Sequence, residues 1–207
     1  MKVIDAVWEI RNLGKKTIEI KLEDEDFAKS PKEICNLIDQ IKSQYHSEYT
    51  VIKIRSGSPC IGNEIIKHGF VQMEMQFHIK ATKSDIEIAT KKYANFFKHT
   101  KMEEAKDKDS QEYIFNEIRK GIFFTDWIAL DSKFGIKVAN NRYANWAEDE
   151  IKRGSVLAYI VDNGRKIGFS LRRYENSSVF GLLAGLFNDY KNLNIGGSIF
   201  FTKLYED

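Results

Sequence analysis

The chain has 207 residues, 43% of them hydrophobic and 30% charged, and its 32 basic and 30 acidic residues leave a formal net charge of only +2. This is the composition of a folded globular protein, and it excludes a disordered chain, which combines low hydrophobicity with high net charge. It also excludes a strong bulk field drawing the protein to nucleic acid.

Residues 3–10 and 16–22 alternate and read as strands, with Asn12-Leu13-Gly14 as the turn between them. Ser30-Pro31-Lys32-Glu33 then reads as a helix start, with Ser as N-cap, Pro at the first helical position and Glu at the third. Ile34, Leu37, Ile38 and Ile41 follow at helical spacing. Residues 49–55 predict a third strand, and residues 63–68 a short helix stopped by Gly69. Residues 70–80 alternate throughout and predict a fourth strand, with Val71, Met73, Met75 and Phe77 on one side. Ser84 and Glu87 suggest a capping box for a helix carrying Ile86, Ala89, Tyr93 and Phe96. The charged run 98–113 places the domain boundary near residue 105. The expected organisation is a small α/β domain over 1–105 and a second domain over 106–207.

In the second half, residues 110–121 predict a helix with Ile114, Phe115 and Ile118 inward. Residues 123–135 read as an irregular connector. Residues 136–153 predict a long helix with Ile136, Ala139, Tyr143, Trp146 and Ala147 on one stripe and Arg142, Asn145 and Asp149 on another. Strands over 155–161, 166–173 and 178–187 form a meander, with Asp162-Asn163-Gly164 as a hairpin signal. Gly181 and Gly185 imply that something approaches the backbone of the third strand closely. A turn and a helix beginning near Gly196 follow.

Several chemistries lack their residues. No CxxC or HExxH pattern occurs, so no metal site is expected. No GxSxG elbow, P-loop or dinucleotide glycine fingerprint is present either. The two cysteines, Cys35 and Cys60, are too few for a disulfide framework, which suggests reduced thiols and a cytoplasmic location. No apolar run is long enough to span a membrane, and Asp5 and Glu9 interrupt what would be the core of a signal peptide. The basic, aromatic run Lys91–Lys101 reads as the end of an amphipathic helix, so no nucleic-acid partner is expected. What remains is a long apolar strand, a turn and a helix start, residues 178–207. Exposed backbone N–H groups at such a turn, with the positive end of the helix dipole, suit an anion such as a pyrophosphate.

This strand–turn–helix resembles the acyl-CoA-binding motif of the GNAT acetyltransferase superfamily, whose turn is written [QR]-x-x-G-x-[GA] after an aromatic residue. Here Tyr190 is the aromatic residue, Lys191 takes the Gln/Arg position, Asn194 the first Gly position and Gly196 the last. Lys keeps a donor, and Asn tolerates the left-handed region that Gly adopts. Asp126, Ile128, Leu130, Asp131 and Phe134, then Arg142, Tyr143, Asn145 and Trp146, then Ile167, Gly168 and Phe169 extend the likeness. They resemble the branch that contains dTDP-fucosamine N-acetyltransferase, in which a small α/β domain precedes the acetyltransferase domain.

The resemblance implies an α/β (α+β) protein with an incomplete GNAT-like mixed-sheet domain at its C-terminal end. It implies transfer of an acetyl group from acetyl-CoA, the co-substrate, to a primary amine, such as an amino sugar on a nucleotide carrier, by direct attack in a ternary complex. A β-bulged strand would bind the pantetheine arm and thioester through Leu183, Ala184, Gly185 and Leu186. Lys191, Asn192, Asn194, Ile195, Gly196 and Gly197 would bind the pyrophosphate. Arg142, Asn145 and Asp149 are candidates to face the acceptor. Asp126 and Asp131 are candidates for a base or, alternatively, helix caps. In the family a further strand, helix and hairpin follow, so the chain is expected to be a fragment, a short relative or one completed by a partner chain. Without those elements Ile199, Phe200 and Leu204 would be uncovered and promote self-association. The alternative function is a degenerate relative without activity that serves as a binding or interaction module.

Overall fold

The computed structural model describes residues 1–92, 94 and 99–192. The fold mixes helices with two sheets, as the α/β reading expects. The chain divides into two compact units, 1–74 and 75–207. The division falls 31 residues before the expected boundary near 105 (105 − 74), because residues 100–104 belong to the second sheet.

In the first unit, β1 (Lys2–Asp5) pairs antiparallel with β2 (Thr17–Lys21). The expected strand over 3–10 stops at Asp5. Trp8–Leu13 coil into α1, which ends on Gly14 in the left-handed conformation, φ 64°, with its N–H donating to Ile10 O at 3.1 Å. A 3-10 turn (Asp24–Ala28) leads to α2 (Pro31–Tyr45), which opens on the expected capping box between Ser30 and Glu33. β3 (Tyr49–Lys53) then lies parallel to β2, with α2 as the crossover. Ile18, Ile20 and Leu22 pack against Ile34, Cys35 and Ile38 of α2 and against Ile61 and Ile65 of α3 (Pro59–Lys67).

Residues 70–82 form no strand, although their alternation predicts one over 70–80. Val71, Met75, Phe77 and Ile79 are exposed, Ile79 by 92%. Alternation specifies a face only where a neighbouring strand supplies the ladder. In the second unit, α4 (Lys83–Lys92) opens two residues earlier than expected. Its capping pair is Thr82 with Asp85: the Thr82 N–H donates to Asp85 Oδ2 at 2.8 Å and the Asp85 N–H to Thr82 Oγ1 at 3.3 Å. Tyr93 and Phe96 of the expected helix lie outside the described residues.

The second sheet runs β4 (Thr100–Glu104), β5 (Val156–Asp162), β6 (Arg165–Glu175) and β7 (Ser178–Leu186), each antiparallel to the next. The mixed pairing thus lies in the first sheet, and the described strands of the second are antiparallel. β4 is a strand inside the run expected to be a solvated boundary; its Met102 packs on Ile160 and Ile167. Between β4 and β5 come α5 (Lys108–Arg119), the short α6 (Trp127–Leu130) inside the expected connector, and α7 (Gly135–Lys152). Ile114, Phe115 and Ile118 of α5 are buried with Leu157, Phe169 and Leu171 of the sheet. α7 buries Ala139, Asn140, Ala144, Ala147 and Glu150, leaving Ile136 50% exposed, so its inward face is rotated from the expected stripe. The β5–β6 turn holds Asn163 and Gly164 at φ 47° and 79°, the conformation the Asn-Gly pair predicts. No described helix is long and apolar enough to cross a membrane.

Candidate functional site

β7 is one of the two edge strands of the described second sheet. An antiparallel edge leaves alternate backbone N–H and C=O groups pointing away from its one neighbour. Along β7 the register with β6 runs Gly168↔Leu186, Phe169↔Gly185, Ser170↔Ala184 and Leu171↔Leu183, then skips to Arg172↔Gly181. Leu182 is therefore a bulge, a device that bends a strand and re-aims its groups. Leu183, Ala184, Gly185 and Leu186 follow it directly and are half-buried.

The two glycines of β7 differ. A Cβ at Gly181 would meet open space, so nothing approaches there. At Gly185 it would lie 2.9 Å from Ile122 Cγ2 and 3.3 Å from Phe169 Cε1. The close approach expected at Gly185 is thus made by the protein's own side chains, and Gly181 is corrected from a close contact to an open position.

After Leu186, Phe187 turns inward and its N–H donates to Ile167 O at 2.9 Å. A single 3-10 turn (Asn188–Tyr190) follows, closed by the Tyr190 N–H donating to Phe187 O at 2.8 Å. Tyr190 packs onto the sheet core beside Ala184 and Leu186. The strand is thereby brought to a fixed stop, and Lys191 and Asn192 emerge exposed. Asn194, Ile195, Gly196 and Gly197 lie outside the described residues, as do Ile199, Phe200 and Leu204.

The connector between α5 and α7 is tied to the strand from above. Ile122 and Phe123 reach Gly185 and Phe169, with the Phe123 and Phe169 rings edge to face at 6.3 Å. Asn140 of α7, fully buried, holds this segment in place. Its Oδ1 accepts the Phe123 N–H at 2.9 Å, and its Nδ2 donates to Phe123 O at 2.6 Å and Ile136 O at 2.8 Å. The sequence reading missed Asn140; the available signal was a polar side chain at the position where the α7 inward face needs an apolar one. It also missed Glu150, buried and satisfied by Ser155 Oγ at 3.0 Å and Arg153 at 2.9 Å.

Asp126 is the N-cap of α6, its Oδ1 accepting the Ala129 N–H at 2.7 Å. Asp131 follows α6, and its Oδ1 accepts the Lys133 N–H at 2.9 Å. Both carboxylates thus order the connector, as caps do. Arg142 of α7 lies with its guanidinium 5.2 Å from the Trp127 ring centre, next in sequence to Asp126. Asn145 and Asp149 are half-buried one and two turns further along α7, and Asp149 sits 4.0 Å from Lys152. The structure therefore joins β7, the connector and the first turns of α7. It ties Asp149 to Lys152 at the far end of that helix.

Compared with known protein families, curated proteins and solved structures, the chain matches none.

Proposed function

We propose that the chain is an N-acetyltransferase of the GNAT type, moving an acetyl group from acetyl-CoA to a primary amine, with an amino sugar on a nucleotide carrier as the favoured acceptor class. The observation that carries this reading is the bulge at Leu182 on an edge strand that stops abruptly at Asn188–Tyr190. A bulged strand feeding a turn is what the resemblance implies, although the described strands of this sheet are antiparallel where the resemblance implies a mixed sheet. Edge amides and carbonyls of Leu183–Leu186 suit the amide groups of a pantetheine arm, and exposed Lys191 supplies a cation for a phosphate. The co-substrate supplies an activated thioester carbonyl, whose C–S bond breaks as the amide bond forms, so that CoA leaves as its thiol. The protein's part is to align the amine against that carbonyl, offer backbone N–H groups to the developing oxyanion, and accept the ammonium proton.

The two unpaired thiols, Cys35 buried and Cys60 exposed, support a reducing compartment, and we place the protein in the cytoplasm. A second reading, a binding module on a degenerate scaffold, is favoured by Lys191 and Asn194 standing where the family has Gln/Arg and Gly.

Melting curves with added ligand separate the two. At about 100 times its dissociation constant, acetyl-CoA stabilises the fold by about 2.7 kcal/mol, which raises Tm by several degrees. Desulfo-CoA gives the same rise and adenosine diphosphate does not. Unchanged melting with acetyl-CoA at millimolar concentration overturns the acetyltransferase reading for this chain.

A further inference from the structure

Where the first turn of α5 meets the second sheet there is a cavity of about 250 Å³, lined by Asp109, Ser110, Tyr113, Tyr159 and Lys166. Tyr159 of β5 joins its walls, because its Oη donates to Ser110 O at 2.8 Å and so ties α5 to the sheet. The Tyr113 ring stands 6.2 Å from the Tyr159 ring at 52°, and Phe187 braces it edge-on at 5.7 Å. Tyr113 is still 48% exposed, so its ring borders the open space.

This site already holds a cation of its own. Lys166 Nζ, on β6, lies 3.9 Å from the Tyr159 ring centre, within the reach at which a ring quadrupole attracts positive charge. The surroundings are acidic. Among the described residues the Asp109 carboxylate has no hydrogen-bond or ion-pair partner. Ser110 and Lys101 hold the Asp107 and Glu103 carboxyls below their ordinary values, and the Lys166 ammonium adds to both effects. Three acids thus stand near one ammonium, which favours a cation over an anion.

The polar lining is mostly engaged. The Ser110 N–H and Oγ both donate to Asp107 at 2.8 Å, and Ser110 O accepts from Tyr159. A primary ammonium brings three N–H donors that need acceptors. A trimethylammonium group brings none, and its methylated surface suits ring faces. A cavity of about 150 Å³ takes benzene, so this one has room for such a headgroup.

We propose that this cavity binds the trimethylammonium group of a small, choline-like cation, which displaces the Lys166 ammonium from the Tyr159 ring. Such a cation has no N–H to acylate, so the proposal stands apart from the acetyl acceptor and does not depend on the acetyltransferase reading.

The probe is choline chloride. Its controls at equal ionic strength are 3,3-dimethyl-1-butanol, the uncharged isostere, and ethanolamine hydrochloride, the unmethylated analogue. NMR of ring-labelled tyrosine in the 207-residue chain reads the site, with Tyr113→Phe identifying the Tyr113 resonance by removing it. The expected result is a saturable shift of that resonance with choline, binding about fivefold weaker with ethanolamine, and no shift with the alcohol. Lys166 is exposed, and Lys166→Ala removes the competing cation, so choline should bind about fivefold more tightly. A Tyr113 resonance that stays still in choline overturns the proposal. So does equal affinity for either control, or choline binding that is unchanged or weaker in Lys166→Ala. The wild-type titrations decide the matter if a variant does not fold.

Discussion

Asp26 and Asp126 are both buried carboxylates that order a short turn, one in each unit, yet they are finished differently. Asp26 is saturated. Its Oδ2 accepts the Glu23 N–H at 2.9 Å and meets the Met1 ammonium at 2.7 Å, and its Oδ1 accepts from Lys29 Nζ at 2.7 Å. Asp126 makes one bond with one oxygen and none with the other. Burial alone would push the Asp26 carboxyl up, but the hydrogen bonds from Lys29, the N-terminal amine and Glu23 overcome it and hold the group at about 2. A saturated carboxylate has its energy invested in the fold. A half-satisfied one returns only the cap bond of its first oxygen, while its second, buried oxygen counts against the fold.

The strongest way to break the contrast is to remove the saturated acid. Asp26→Ala removes the shared partner of the buried Met1 ammonium and Lys29, leaving Met1 with Glu23 at 3.8 Å, and breaking such a hub costs about 4 kcal/mol. Urea unfolding measures it, and a loss below about 1 kcal/mol would show that Asp26 is not the hub. Next is the clamp under the unsaturated one. Asn140→Ala strips three hydrogen bonds and orphans both backbone groups of Phe123, for a loss of about 3 kcal/mol. The same variant should speed amide exchange at Phe123 before the rest of the sheet.

Acid tests the difference without mutation. The folded Asp26 titrates near 2 and its ordinary value is 3.8. The unfolded chain therefore binds more protons between those values, and stability falls as pH falls through that window. The stabilisation, about 2 kcal/mol, is fully present above pH 4 and lost below the folded value. Asp26→Asn should flatten that part of the pH–stability curve. The smallest effect is expected at Asp126. Asp126→Ala loses one cap, about 1 kcal/mol, whereas Asp126→Asn keeps an oxygen for the Ala129 N–H and costs under about 0.5 kcal/mol. A large loss in Asp126→Asn would show that its second oxygen also supports the fold.

How much of this was legible follows from where the information sits. The Ser30–Glu33 box, the Asn163-Gly164 turn and the meander were readable because each is set by neighbours in sequence. Residues 70–80 were not, because alternation names a strand's face but not its partner. β4 was missed because a short edge strand tolerates charge at alternate positions, and Lys101, Glu103 and Glu104 hid its pattern. At the site, the bulged strand was expected from the resemblance, but its tie to Ile122 and the Asn140 clamp depends on residues 17 to 63 positions apart (140 − 123 and 185 − 122). No local pattern encodes such a contact. Asp126 was visible as a candidate; its unanswered oxygen was visible only in three dimensions.

The most direct measurement is amide hydrogen exchange along β7 with and without acetyl-CoA. The acetyltransferase reading predicts added protection within Leu183–Leu186, where the edge amides would donate to the ligand, and little change at Ser178–Gly181 beyond the Leu182 bulge. Exchange at Leu183–Leu186 that is identical with and without saturating acetyl-CoA would contradict it.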